Sequence, residues 1–168
     1  TFSRLPVLIK MQWRVDMSDW LTLLGEFWSD FDNIAQHADI LIGETPFADV
    51  VECPAEFRHL LMDDTERQAF EALPDEITVY RGCYAHNKWG LSWSLDSATA
   101  EQFPTLNRYQ RDGQPLLVKA TVPKADVVAL KLDRGESEVI ALRPRHRSTR
   151  HIRPAPTASL PGSRPDGH

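Results

Sequence analysis

Apolar residues at Met17, Trp20, Leu21, Leu24, Phe27, Trp28, Phe31, Ile34, Ala38 and Leu41 recur at steps of three and four, the spacing of one face of an α-helix. The pattern predicts a helix over residues 17–41, capped by Asp16 or Ser18 and ended by Gly43 and Pro46. Two Trp and two Phe on that stripe can line a ligand groove, but a helical stripe of this kind needs burial in any case, and core packing is the plainer use. Pro54 suits the first turn of a short helix through Phe57, Leu60 and Leu61. Asp63 and Glu66 have the form of a capping box for a further helix, which Pro74 stops.

From Ile77 the period changes to two, with Ile77, Val79 and Arg81 on one face and Thr78, Tyr80 and Gly82 on the other. Residues 90–95 predict a second strand, and residues 97–103 a short helix that packs through Ala100 and Phe103. Residues 116–122, 127–131 and 138–142 complete the strand set, with Pro123 and Arg134-Gly135 at turns. Helices first and strands afterwards predict an α+β domain. At 168 residues the chain suits one cooperative unit. Residues 1–74 are expected to be a helical region integral to it, and residues 75–143 its β-rich core.

The remainder, residues 144–168, holds five Pro, scattered Ser and Arg, and little apolar periodicity, and is expected to be a basic tail, flexible or ordered by a partner. Charge is divided unevenly along the chain. Six Arg and one Asp give residues 143–168 a charge of +5, which leaves −10 on the other 142 residues. An acidic body is unlike a general duplex-DNA binder, whereas the tail can contact nucleic acid or an acidic partner. No apolar run approaches the roughly 18 residues of a membrane span, and residues 1–14 lack the layout of a secretion signal. Cys53 and Cys83 form no metal-ligating pattern, and His37 and His59 have no ligand-spaced partners. A cytoplasmic protein with reduced thiols, no metal and no membrane contact is the expectation.

Three short segments carry the candidate chemistry: Tyr80-Arg81-Gly82, Ser92-Trp93-Ser94 and Glu136-Ser137-Glu138, each in a strand-like setting. In this order, with Ala100 and Phe103 after the second and Gly135 before the third, they resemble the Arg, Ser-x-Ser and Glu-x-Glu signature of mono-ADP-ribosyltransferases. The resemblance covers residues 75–143. It implies a split β-sandwich of two small, mainly antiparallel sheets, with NAD as co-substrate in the cleft between them.

The residue types suit that chemistry on physical grounds. A guanidinium such as Arg81 supplies charged, fork-shaped hydrogen bonds to a pyrophosphate that an ammonium does not reproduce. Breaking a glycosidic bond builds positive charge on the sugar, which a carboxylate stabilises. By resemblance, Glu138 holds the ribose 2′-hydroxyl and that charge, Glu136 positions or deprotonates the acceptor, and Ser92 contacts the ribose and orients Glu138. Ser94 supports the strand, and Gly82 lets the carboxamide of nicotinamide come close. Trp93 stands where the family often has Thr. Trp93, Trp89, Tyr84 and Phe103 are all candidates for stacking on nicotinamide, and His86 reads as a loop residue. Two carboxylates on one face also repel, so one is expected to have a raised pKa.

The resemblance implies a transferase, with a macromolecular acceptor that is a nucleic-acid base or a protein arginine. Glu136 favours transfer over hydrolysis. The turn before it lacks the aromatic residue with which many protein-modifying members grip their targets, which keeps RNA and DNA open. The small catalytic core is similar to that of bacterial or phage conflict toxins, whose partners include an antitoxin or inhibitory protein. An NAD glycohydrolase, a non-catalytic binding module on the same fold and an RNA 2′-phosphotransferase are the alternatives; the last calls for a more basic cleft than an acidic body offers.

Overall fold

The computed structural model describes residues 3–32, 34–106 and 109–153. Six helices come first: α1 (Arg4–Met11), α2 (Met17–Glu26), α3 (Ile34–Glu44), α4 (Phe47–Glu52), α5 (Pro54–Phe57) and α6 (Asp64–Glu71). The apolar stripe of residues 17–41 is therefore not one helix. It breaks after Glu26 into a 3-10 turn at Trp28–Asp30 before α3 begins. Ser29, Asp30 and Asp32 explain the break, because short polar side chains compete for backbone hydrogen bonds and lower helix propensity. The break keeps Trp20, Leu21, Leu24, Trp28, Phe31 and Leu41 buried while Met17 and Phe27 reach the surface. Helix α1, which the periodicity does not announce, is held by Leu5 and Leu8 in the core and by the Trp20 indole N–H donating to Leu8 O at 2.7 Å. The capping box of α6 forms as expected, Glu66 N donating to Asp63 Oδ1 and Asp63 N to Glu66 Oε2.

Six strands follow, with helix α7 (Ser97–Gln102) between the second and third: β1 (Glu76–Cys83), β2 (Ser92–Ser94), β3 (Leu116–Pro123), β4 (Ala129–Lys131), β5 (Glu138–Ile140) and β6 (Arg145–His151). They form one antiparallel sheet in the order β4-β5-β2-β1-β3-β6. The architecture is thus α+β, with N-terminal helices followed by a six-stranded antiparallel sheet. The two separate sheets expected from the sequence are joined, but narrowly. β1 pairs with β3 along its whole length, from Glu76–Pro123 to Cys83–Leu116, whereas its pairing with β2 is at Tyr80–Ser94. Short pairing lets the sheet open between β1 and β2.

The expected tail is also revised, since Arg145–His151 pairs with β3 as an edge strand. Its residues are polar on both sides because an edge strand with an open face has little apolar surface to bury. Residues 154–168 lie outside the described residues. Ile77, Val79, Val118, Ala120 and Val122 face the helices in the main core, and Leu117, Ala100, Ile152 and Tyr80 pack together on the side of α7. Among the described residues no helix is long and apolar enough to cross a membrane. Both cysteines are free thiols.

Candidate active site

The opening between β1 and β2 is a cavity of about 280 Å³, walled by Arg81 and Gly82 of β1, Ser92 and Ser94 of β2, Glu138 at the start of β5 and Glu136 just before it. Three segments far apart in sequence are brought to one place. Glu136 precedes β5, after a 3-10 turn at Asp133–Gly135 that closes on Gly135 at φ 73°. Only glycine adopts that conformation at little cost. Ser137 O accepts from Leu95 N at 2.9 Å, so the extended pairing begins before β5 itself and leaves Glu136 and Glu138 on one side.

Ser92 connects the two groups of opposite charge. Its carbonyl accepts from Arg81 Nη1 at 2.7 Å, and its hydroxyl acts on Glu138, lowering the pKa of that carboxyl. Arg81 Nε reaches the Asn87 carbonyl at 3.4 Å, and its guanidinium lies against Gly90, where a Cβ would come within 2.7 Å of Nη2. A guanidinium has five N–H donors; these contacts engage two, and the others have no partner among the described residues. Burial lowers the Arg81 pKa, against the field of Cys83 and Glu138.

Glu138 is more heavily engaged than the sequence indicates. The Trp28 indole N–H donates to its Oε1 at 2.8 Å from a side chain only 1 % exposed. Burial raises the Glu138 pKa; the Ser92 and Trp28 hydrogen bonds oppose the rise, Glu136 adds to it, and Lys131 opposes it. Lys131 stands opposite Glu138 in the β4–β5 register and also lines the cavity. Its ammonium turns away to a buried ion pair with Glu66 Oε2 at 2.7 Å and to Leu61 O at 3.1 Å. Leu132 N fills the other Glu66 oxygen at 3.1 Å, so the charge of Glu66 is fully bonded.

Several expected roles take a different physical form. Gly82 lacks a side chain because α7 packs on it: a Cβ would lie 1.8 Å from Ala100 O and 2.7 Å from Pro104. Trp93 contributes to the cavity wall but is buried in the main core, its indole N–H donating to Gly90 O at 2.9 Å. Ser94 Oγ accepts from Asp96 N at 3.0 Å, which sets the turn into α7, where Asp96 caps the helix by accepting from Thr99 N. Phe103 and Tyr84 line the cavity; Trp89 is outside its lining. Tyr84 is buried, with its hydroxyl on Pro104 O at 2.8 Å, which leaves Phe103, paired with Tyr109, as the more accessible ring. His86 lies in a 3-10 turn, stacked on Tyr84.

Trp28 and Lys131 are the site residues that sequence reasoning missed. Trp28 reads as one more apolar position on a stripe, and nothing local to it points to a carboxylate 110 residues away. Lys131 did carry a signal, being a lone cation within the apolar run Val127–Leu132. The described residues contain no group of three His, Cys, Asp or Glu placed to hold a metal ion. No protein-family model matches this chain, and neither does any curated protein or solved structure.

Proposed function

We propose that the chain is an NAD-consuming mono-ADP-ribosyltransferase that cleaves the bond between nicotinamide and ribose and passes ADP-ribose to a macromolecule. The observation that carries this reading is the juxtaposition at Ser92, whose carbonyl holds a guanidinium with unspent donors beside the half-buried carboxylate of Glu138, in one cavity. The narrow β1–β2 pairing favours the split sandwich that the motif resemblance implies. A volume of about 280 Å³ lies just below the usual span of small-ligand pockets, roughly 300–1,000 Å³. It suits a ring and its sugar, with the pyrophosphate towards Arg81.

In this reading Arg81 holds the pyrophosphate or the adjoining ribose through its remaining N–H donors. Glu138, ionised, accepts from the ribose 2′-hydroxyl and faces the positive charge that develops as the bond to nicotinamide breaks and nicotinamide leaves with the electron pair. Trp28 and Ser92 fix that carboxylate, so it need not reorganise as the charge appears. Glu136 orients the acceptor nucleophile and takes its proton as the new bond to C1′ forms. Phe103 offers a face for the nicotinamide ring. A cytoplasmic toxin restrained by an antitoxin fits such an activity, since unrestrained NAD consumption and target modification both harm a cell.

The test is to incubate the protein with cell lysate and NAD labelled on its adenylate half, then to treat separate portions with protease and with nucleases. Label lost under one treatment identifies the acceptor class. Nicotinamide release without labelled macromolecule indicates a glycohydrolase, and neither product rules the reading out.

A further inference from the structure

The face of β1, β3 and β6 on the side of α7 continues outward from the cavity wall. Ser94, Tyr80, Lys119 and Ser148 lie opposite one another across β2, β1, β3 and β6. Residues directly opposite share a sheet face. Ser94 and Tyr80 line the cavity, whereas Lys119 and Ser148 are exposed. Arg145 stands opposite Thr121 and Arg150 opposite Leu117, two residues along β3 from Lys119 in either direction, so both point to the same side. Arg147 joins them through its Nε, which donates to Thr121 Oγ1 at 3.0 Å.

These cations differ in how they are held. Arg147 and Arg150 meet Glu76 and Glu101 in half-exposed pairs, which are worth little in water. Lys119 and Arg145 have no ion-pair partner among the described residues. Basic residues on an edge strand also discourage sheet-to-sheet association, but that does not account for Lys119, which lies on an interior strand. The face carries Lys119, Arg145, Arg147 and Arg150 against Glu76 and Glu101, whereas the first 142 residues together sum to −10. A polyanion is therefore drawn to this face.

We infer that this face binds a single-stranded nucleic acid, whose phosphodiester backbone runs over Lys119, Arg145, Arg147 and Arg150 while one nucleotide reaches past Tyr80 into the cavity. The inference rests on the proposed function and deepens it by naming the acceptor class. A single strand is specified because a base inside a duplex stack cannot enter the cavity without being extruded.

The test is fluorescence anisotropy of a short labelled oligoribonucleotide of mixed sequence, titrated without NAD over a range of salt. Binding should weaken as salt rises. The pair Lys119→Glu and Arg145→Glu should lower affinity at least tenfold at low salt and reduce the salt slope by about 1.4, since each lost single-strand phosphate contact removes about 0.7. Lys10→Glu, a charge reversal at an exposed position of α1, should change neither. Lys119→Gln with Arg145→Gln gives a milder version, should charge reversal disturb folding, and should weaken binding in the same direction. Nicotinamide release in the absence of acceptor should be unaffected by all of these. The inference is overturned if the paired variants bind as the wild type does, if a duplex of the same sequence binds as tightly, or if a poly-glutamate peptide competes equally. Because binding is read without NAD, a protein that binds the strand but cleaves no NAD refutes the enzymatic reading alone. One that cleaves NAD but ignores the strand refutes this inference alone.

Discussion

Replacing Trp28 with Phe removes one N–H from Glu138 and keeps an aromatic ring in the core. The lost bond is a 2.8 Å contact to a carboxylate from a side chain 1 % exposed, and hydrogen bonds to charged groups are worth about 1.5–3 kcal/mol. If Trp28 fixes the carboxylate that faces the ribose, kcat for nicotinamide release should fall about tenfold to a hundredfold. The pH profile should move as well. The Trp28 bond opposes the upward shift that burial imposes on Glu138, so without it the carboxylate forms only at higher pH, and the rising limb of kcat moves in the same direction. The smaller ring will also loosen packing against Phe47, whose ring centroid is 5.9 Å from that of Trp28. Phe47→Leu is therefore the control, since it disturbs the same packing but leaves the N–H in place. It should lower the melting temperature without moving the pH profile. A Trp28→Phe variant with wild-type kcat and an unmoved rising limb would show that Trp28 serves the core alone.

Three other outcomes follow from contacts around the cavity. Burial raises the Glu138 pKa above its unfolded value, so the native state holds that proton more tightly, and this contribution to stability is lost as pH rises through the raised value. Glu138→Gln should therefore melt above the wild type at neutral pH and converge with it in acid; an equal offset at every pH would exclude this cause. Gly90→Ala places a Cβ 2.7 Å from Arg81 Nη2, and since the guanidinium can swing away, KM for NAD should rise with little change in melting temperature. A large loss of stability with unchanged KM would contradict that. Lys131→Met leaves the buried Glu66 carboxylate without its cation and should cost about 3–5 kcal/mol in denaturant unfolding, most of it recovered when Glu66→Gln is added; no recovery would mean that the ion pair is not the cause.

What could be read from the sequence follows the range of the interactions involved. The α6 capping box closes within three residues, and the alternation of β1 is set by which of its faces is buried, so both are local. Arg81, Ser92, Glu136 and Glu138 stood out for a different reason: their types and order resemble a known signature, and the structure brings all four to one cavity. The break after Glu26 was hidden because an apolar face at helical spacing continues across it, although the backbone turns. Strand β6 was hidden because Arg, His, Ser and Thr on an exposed edge leave no apolar period. The resemblance points Gly82 to ligand approach, whereas the close contact that requires glycine is with Ala100 O across a tertiary interface. Only folding brings Trp28 to Glu138.

The central claim is that the cavity around Arg81, Ser92 and Glu138 breaks the bond between nicotinamide and ribose. Its most direct test is release of nicotinamide from NAD by the purified protein, measured for the wild type and for Glu138→Gln. In that variant the side-chain oxygen can still accept from Trp28, but no negative charge remains to face the ribose. The account predicts steady release by the wild type and a loss of at least a hundredfold in a variant that is folded and more stable at neutral pH. Release by Glu138→Gln at the wild-type rate, or no release by the folded wild type, would contradict it.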